Sequence, residues 1–334
     1  MEISDIESKE GEFFKIIHLS DTHFGNYIFK PTFITKCHDI NVLTALSDFI
    51  STQEIDVIFL TGDVVTGGDD NAFQHARNFI FGKISTPKAN IGLGLNPTDE
   101  RILIVPGNHD YYPATFIPFA SSIEGYNKYF PEFKTPYAKF FPKNGLKITI
   151  FGLDSVRNAW GSIANGKFAE KDLNWLTETC TQLENNQYPK PVFSSKDYKE
   201  SLKIVLVHHH LYLPKDRKYK YFKEVKNRKK ALKIFLKCNI NMIFFGHEHT
   251  HFVKYPSYDC QLDKRVKREL TARGYDIKKR FIACMASTAS QANAKENSLW
   301  LLKISSSRLL CQRYYFENNS FIPSTETIQL KMAH

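Results

Sequence analysis

At 334 residues, with 42% hydrophobic and 14% aromatic side chains, the chain is long enough for one large domain or two smaller ones and can bury a sizeable core. Its acidic, polar start (Met1–Glu10) excludes a signal or transit peptide, and no run approaches the about 18 apolar residues that span a bilayer, so a soluble, cytoplasmic protein is expected. Six scattered cysteines (37, 180, 238, 260, 284 and 311) without C-x-x-C spacing exclude a zinc ribbon and a disulfide framework, and the formal charge of +10 is concentrated in segments 214–230 (net +7) and 254–280 (net +5).

The first short apolar run predicts a strand over 13–19, ending in His18-Leu-Ser-Asp21-Thr-His23. A helix is expected over 38–52, then a strand over 56–61 that ends in Thr61-Gly-Asp63, then a helix over 70–82. The strand predicted at 101–105 runs into Pro106-Gly-Asn-His-Asp110, with a helix at 115–129 behind it. A strand at 146–153 and a helix at 169–184 follow, and the strand at 202–207 closes in His208-His-His210. A helix at 222–237 leads to a strand at 241–245 and its Gly246-His-Glu-His249 end. The last quarter differs, because Phe281–Cys284, Ser298–Ile304 and Leu309–Phe316 read as consecutive strands. Alternating β and α units followed by a run of strands predict stacked sheets with helices outside. Residues 83–100 and 185–201 read as surface loops, and 254–280 as a charged insertion that covers part of the site.

Five strand ends thus carry metal-capable side chains, and in open α/β sheets ligands sit just past the carboxyl ends of the strands. Asp21 and His23 are two apart, so at an extended strand end both point the same way, and His247 and His249 repeat the arrangement. Asp63 has two oxygens with which to bridge two cations, Asn108 offers a carbonyl and His208 an imidazole. Seven donors are too many for one tetrahedral ion and suit two ions sharing a bridge. Imidazole and oxygen donors without cysteine point to Mn, Fe or Zn. Two such ions about 3.5–4 Å apart clamp a phosphoryl group, generate hydroxide at neutral pH and stabilise in-line displacement. His109 points away from its neighbour Asn108, which leaves it free to act as general acid or to stabilise transition-state charge. Gly62, Gly107 and Gly246 would let the backbone come close to metal or phosphate. Any one of these clusters arises by chance, and a lone histidine is usually structural; the weight lies in the five together.

D-x-H, G-D, G-N-H-D, H and G-H-x-H, in this order, resemble the calcineurin-like metallophosphoesterase superfamily over roughly residues 13–305. The resemblance implies a four-layer α/β/β/α sandwich of two mixed sheets with a dinuclear centre. One metal would take Asp21, His23, Asp63 and His249, and the other Asp63, Asn108, His208 and His247, with His109 as the non-ligand catalytic histidine. Val207-His208-His209-His210 offers three candidates for the fourth motif; the resemblance implies His208, with His209 as runner-up. The expected organisation is an amino-terminal tail over 1–12, the catalytic domain over 13–318 with the basic insertion 254–280, and a tail over 319–334.

Phe151-Gly-Leu-Asp-Ser155, Gly166 and Asp172-Leu-Asn-Trp-Leu176 are similar to a stretch of class III cyclic-nucleotide phosphodiesterase-like proteins, as is Ala286-Ser-Thr-Ala-Ser290. Two positions depart from the pattern: His210 stands where a proline is usual, and Thr66 where an acidic residue often follows the bridging aspartate. The expected activity is hydrolysis of a phosphodiester by metal-bound hydroxide, with His109 as general acid. A metallonuclease acting on DNA or RNA is the alternative, since the basic segments and their interleaved Tyr219, Tyr221 and Phe222 suit nucleic-acid contact. The bland reading of those segments is a solvated amphipathic helix. A non-catalytic scaffold of the same fold is the reading from another class.

Overall fold

The computed structural model describes residues 13–331, apart from 31–32, 37, 68, 88, 99, 112–121, 157–164, 190–192, 213–224 and 293. In chain order the elements are β1 (Phe14–Leu19), β2 (Asn26–Lys30), β3 (Phe33–Lys36), α1 (Ile40–Ser51), β4 (Val57–Thr61), α2 (Asp70–Phe81), β5 (Ile84–Ser85), β6 (Asn90–Ile91), β7 (Ile102–Val105) and α3 (Glu124–Tyr129). They continue with β8 (Tyr137–Lys143), β9 (Leu146–Gly152), α4 (Glu170–Glu184), α5 (Ser195–Glu200), β10 (Leu202–Leu206), α6 (Arg228–Lys237), β11 (Met242–Phe245) and β12 (Phe252–Lys254). The last are α7 (Lys264–Ala272), β13 (Ile282–Met285), β14 (Ser298–Ile304), β15 (Arg308–Glu317) and β16 (Ser320–Lys331).

Two six-stranded sheets form, in the orders β16-β15-β14-β1-β4-β7 and β12-β13-β11-β10-β9-β8. Both are mixed. β1, β4 and β7 run parallel in the first, as do β9, β10, β11 and β13 in the second, whereas β14, β15, β16, β8 and β12 pair antiparallel with their neighbours. Period-two side-chain alternation reveals the layering. Ile204, Leu206, Met242, Phe244, Ile282 and Cys284 share one core with the first sheet and with Leu43 and Leu46 of α1 and Phe73 and Phe79 of α2. Val205, Val207, Ile243, Phe245, Ala283 and Met285 belong to a second core with Leu173 and Leu176 of α4 and Leu232 and Phe235 of α6. Every face of both sheets is therefore covered, and the architecture is the expected α/β/β/α sandwich.

Short apolar runs became strands within a residue or two of where periodicity put them. Five expectations are corrected; the first is residues 83–100, expected as a surface loop, which hold the β5–β6 hairpin and bury Ile84, Ile91 and Leu95. Residues 319–334, expected as a tail, contain β16, an edge strand whose side chains are mostly exposed and so lack an apolar signal. The loop expected at 185–201 holds α5, a single short helix with a Ser194–Asp197 capping box. The helix expected at 222–237 begins only at Arg228, because Val225 forms a β-bridge with Gly166; residues 222–224 lie outside the described residues. Of the helix expected at 115–129, Glu124–Tyr129 is helical and 115–121 lies outside the described residues.

The insertion 254–280 does not cover the strand ends in its described contacts. Tyr258 donates its hydroxyl to the Ile240 carbonyl at 3.0 Å, and Lys279 Nζ donates to Asn239 Oδ1, both at the amino end of β11. No helix among the described residues is long and apolar enough to cross a membrane, and Cys180, Cys238, Cys260, Cys284 and Cys311 form no disulfide.

Candidate metal centre

All five strand-end clusters come together. The turn after β1 is laced to the turn after β4, with Asp21 N–H on Gly62 O (3.0 Å), His23 N–H on Asp63 O (3.0 Å) and Phe24 N–H on Val64 O (2.9 Å). The other sheet joins it through Gly246 N–H on His208 O (3.1 Å) and His247 N–H on the Asp21 carboxylate (3.1 Å). Asp63 accepts the backbone N–H of His109 at 2.8 Å, which fixes the third turn.

Asp21, His23, Asp63, His247 and His249 have φ of 53°, 50°, 50°, 76° and 47°, in the left-handed region that side chains with a Cβ rarely adopt. The strand ends are therefore not extended at these positions. Asp21 and His23 converge because both turn left-handed, as do His247 and His249, rather than through strand alternation. Gly62, at φ 88°, and Gly246 make this approach possible: a Cβ on Gly62 would collide with the His208 ring, and one on Gly246 with Ser20 and the Asp21 carboxylate.

Two sets of donor atoms result. Asp21 Oδ1 stands 3.2 Å from His249 Nε2 and 3.8 Å from His23 Nε2, and those two nitrogens are 3.4 Å apart. His208 Nε2 lies 3.2 Å from Asp63 Oδ2, 3.0 Å from Asn108 Oδ1 and 3.1 Å from His247 Nδ1. Donors bound to one cation at about 2.1 Å, at right or tetrahedral angles, stand roughly 3.0–3.4 Å apart; the second set has this spacing throughout, and the first has it except between Asp21 and His23, at 3.8 Å. His208 Nδ1 meets the Thr61 carbonyl at 2.8 Å. A carbonyl only accepts, so Nδ1 carries a hydrogen and Nε2 is the ring atom that faces the other donors. Asp21 Oδ1 is fully buried with no hydrogen-bond donor, a costly arrangement for a carboxylate unless a cation meets it.

The electrostatics agree. Burial holds His23 down to about 3, with His109 adding to it, and burial lowers His247, so both imidazoles are neutral with lone pairs to give. Burial works against ionising Asp63, but His208 and His109 hold its carboxyl well below the usual range. His208 is the exception: burial lowers it, yet the neighbouring Asp63 carboxylate lifts it to about 9.

The remaining histidines separate by role. His109 Nδ1 lies 2.8 Å from the Thr66 carbonyl, which fixes the Nδ1–H tautomer and leaves Nε2 for chemistry. The residue that orients His109 thus does so through its backbone, and the identity of Thr66 matters elsewhere: its hydroxyl donates to His23 O at 3.0 Å. His209 Nδ1 pairs with Ser155 Oγ at 2.9 Å, and the His210 ring sits 6.4 Å from that of His247; neither enters a donor cluster. His18 is a core histidine, Nε2 3.0 Å from Thr61 Oγ1 and its ring edge-on to Phe244.

Several residues inside the motifs support the site without entering a donor set. Asp110 is buried and accepts from Gly107 N–H (2.8 Å), Val65 N–H (2.9 Å) and Val64 N–H (3.3 Å), tying the third turn to the second. Burial and the Asp63 charge push its carboxyl up to about 7 against those donors. Thr288 and Ser290, in the Ala286–Ser290 stretch, donate to Asp21 O (2.7 Å) and Thr22 O (2.8 Å) and hold the first turn from behind.

The chain belongs to the calcineurin-like phosphoesterase family, whose model matches residues 14–251. No protein of curated function matches it in sequence. Among solved structures it is similar to a dimetal phosphatase from Danio rerio, at 11% identity and a TM-score of 0.53, covering 96% of this chain and 99% of that one. It is also similar to purple acid phosphatase PPD1 from yellow lupin (Lupinus luteus) seeds, at 11% identity and a TM-score of 0.54, covering 96% of this chain and 54% of that one. At such identity these likenesses speak to the fold.

Proposed function

We propose that this chain hydrolyses a phosphodiester, a cyclic nucleotide or a related compound, with one divalent ion held by Asp21, His23, Asp63 and His249 and a second by Asp63, Asn108, His208 and His247. The observation that carries the reading is the pair of converging donor sets, 3.0–3.8 Å between atoms, built from imidazole nitrogens and carboxylate and amide oxygens. Ions bound there would polarise phosphoryl oxygens and make a nucleophile available at neutral pH. The preference for a diester rests on the resemblance of 151–155 to class III phosphodiesterase-like proteins; in this fold Ser155 contacts His209, and Asp154 accepts from Tyr111 Oη.

His109 supplies the proton. Its Nδ1–H, directed at Thr66 O, holds the ring so that the charged form presents Nε2–H to the leaving oxygen. The His109→Ala variant is expected to keep its metal content while losing about 10²–10⁴-fold in rate on substrates with poor leaving groups, and less with p-nitrophenolate. The test is a panel of bis(p-nitrophenyl) phosphate, p-nitrophenyl phosphate and cyclic nucleotides on Mn-, Fe- or Zn-reconstituted protein. A higher kcat/KM for diesters supports the reading; a consistent preference for monoesters overturns it. An equal loss in His109→Ala for good and poor leaving groups overturns the general-acid role.

A further inference from the structure

Residues 226–237 and 254–280 carry fifteen basic and four acidic side chains, a net +11 against +10 for the whole chain. They are distant in sequence, yet the fold joins them into one surface. α7 lies alongside α6 and runs the same way: Lys229 pairs with Asp263 (3.5 Å), Lys233 with Glu269 (2.7 Å), and Lys237 sits over the Tyr275 ring (5.8 Å). These pairings occupy the acidic residues. Asp263 also caps α7 through Val266 N–H at 2.9 Å, Glu269 also meets Arg273 at 3.8 Å, Asp259 accepts from Ser257 Oγ at 2.5 Å, and Asp276 accepts from Lys278 N–H at 2.9 Å. Lys264, Arg265, Arg268, Lys278 and Arg280 remain exposed to solvent. Of the basic stretch 214–230, residues 214–224 lie outside the described residues.

We propose that this α6–α7 face binds the phosphate backbone of nucleic acid, as a surface separate from the metal centre. The insertion is anchored at residues 239 and 240, at the amino end of β11, whereas the metal donors lie beyond its carboxyl end. The face therefore does not serve as a funnel over the site. Its chemistry selects the partner. Leu270 is buried and Val266 packs inward against the outer core of the second sheet, so α7 has no apolar face to insert into a bilayer. Arg265, Arg268, Arg273 and Arg280 offer planar forks that match phosphate oxygens. Tyr255 lies beneath Arg280 and Tyr275 beneath Lys237, so these rings are engaged with cations rather than set out to stack on bases, and binding is expected to be independent of sequence.

Fluorescence anisotropy with short labelled DNA and RNA duplexes, from about 50 to 200 mM salt, tests this. The intact protein is expected to bind, with log affinity falling linearly in log salt. Arg265→Glu/Arg268→Glu, and the milder Arg265→Gln/Arg268→Gln, should weaken binding about tenfold or more and reduce the slope by about 2, one for each phosphate no longer neutralised. Turnover of bis(p-nitrophenyl) phosphate, which reports the metal centre, should be unchanged in both variants. No binding at the low salt, or undiminished binding in the variants, overturns the proposal. So does loss of binding to phosphatidylserine vesicles in variants of a protein that ignores duplexes, which would mark a membrane-facing surface instead.

Discussion

Five of the seven proposed metal ligands sit in left-handed backbone, and a residue with a Cβ loses about 1–2 kcal/mol there. Such strain persists only where surroundings over-determine it. Here the bonds of Asp21, His23 and His247 N–H to neighbouring turns, with Thr288 and Ser290 behind them, hold it in place. Histidine chemistry differs sharply over a few residues. His18 is held neutral by burial, its pKa lowered to about 3 although Asp21 pulls it upward. The unfolded chain takes up this proton near pH 6.5, and the native fold does not until about 3. The burial of the neutral ring therefore stabilises fully above 6.5 and progressively less as pH falls through that window. His18→Leu should lose less unfolding free energy between pH 7 and about 4.5 than the parent protein in urea titrations. An equal loss in both would contradict the assignment.

At the scale of elements, the working unit is a parallel strand that ends in a turn tight enough to aim its side chains at a shared point. Gly62 is where two such turns meet, since its φ of 88° and the His208 ring leave no room for a Cβ. Gly62→Ala is expected to displace His208, lower metal content and cost roughly 1–3 kcal/mol of stability. Unaltered metal content and melting temperature would show that the turn is more tolerant than its geometry implies. The apolar runs behind these turns were legible because strands buried on both faces read as continuous Val, Ile, Leu and Phe. The donors were legible because Asp, His and Asn clusters are uncommon at consecutive strand ends. β16 and α7 were not: one faces solvent along most of its length, and the other buries only Leu270. Nor could spacing reveal that His109 is oriented by a main-chain carbonyl, because any residue at 66 supplies one.

For the whole molecule, the proposed site lies across the two sheets. Asp21, Asp63 and Asn108 follow strands of the first, and His208, His247 and His249 follow strands of the second. Ions bound between them would cross-link the layers, so metal loading and stability should rise together. The basic α6–α7 face lies on the outer helical layer and is independent of that linkage. The most direct measurement is metal content, melting temperature and bis(p-nitrophenyl) phosphate turnover in the parent protein and Asp63→Asn, each before and after chelation. The parent should carry two metal equivalents, and lose both turnover and several degrees of melting temperature once they are removed. Asp63→Asn should fold, with reduced metal and abolished turnover. Full turnover in Asp63→Asn with its metal content intact, or in the parent protein after complete metal removal, would contradict the two-metal site.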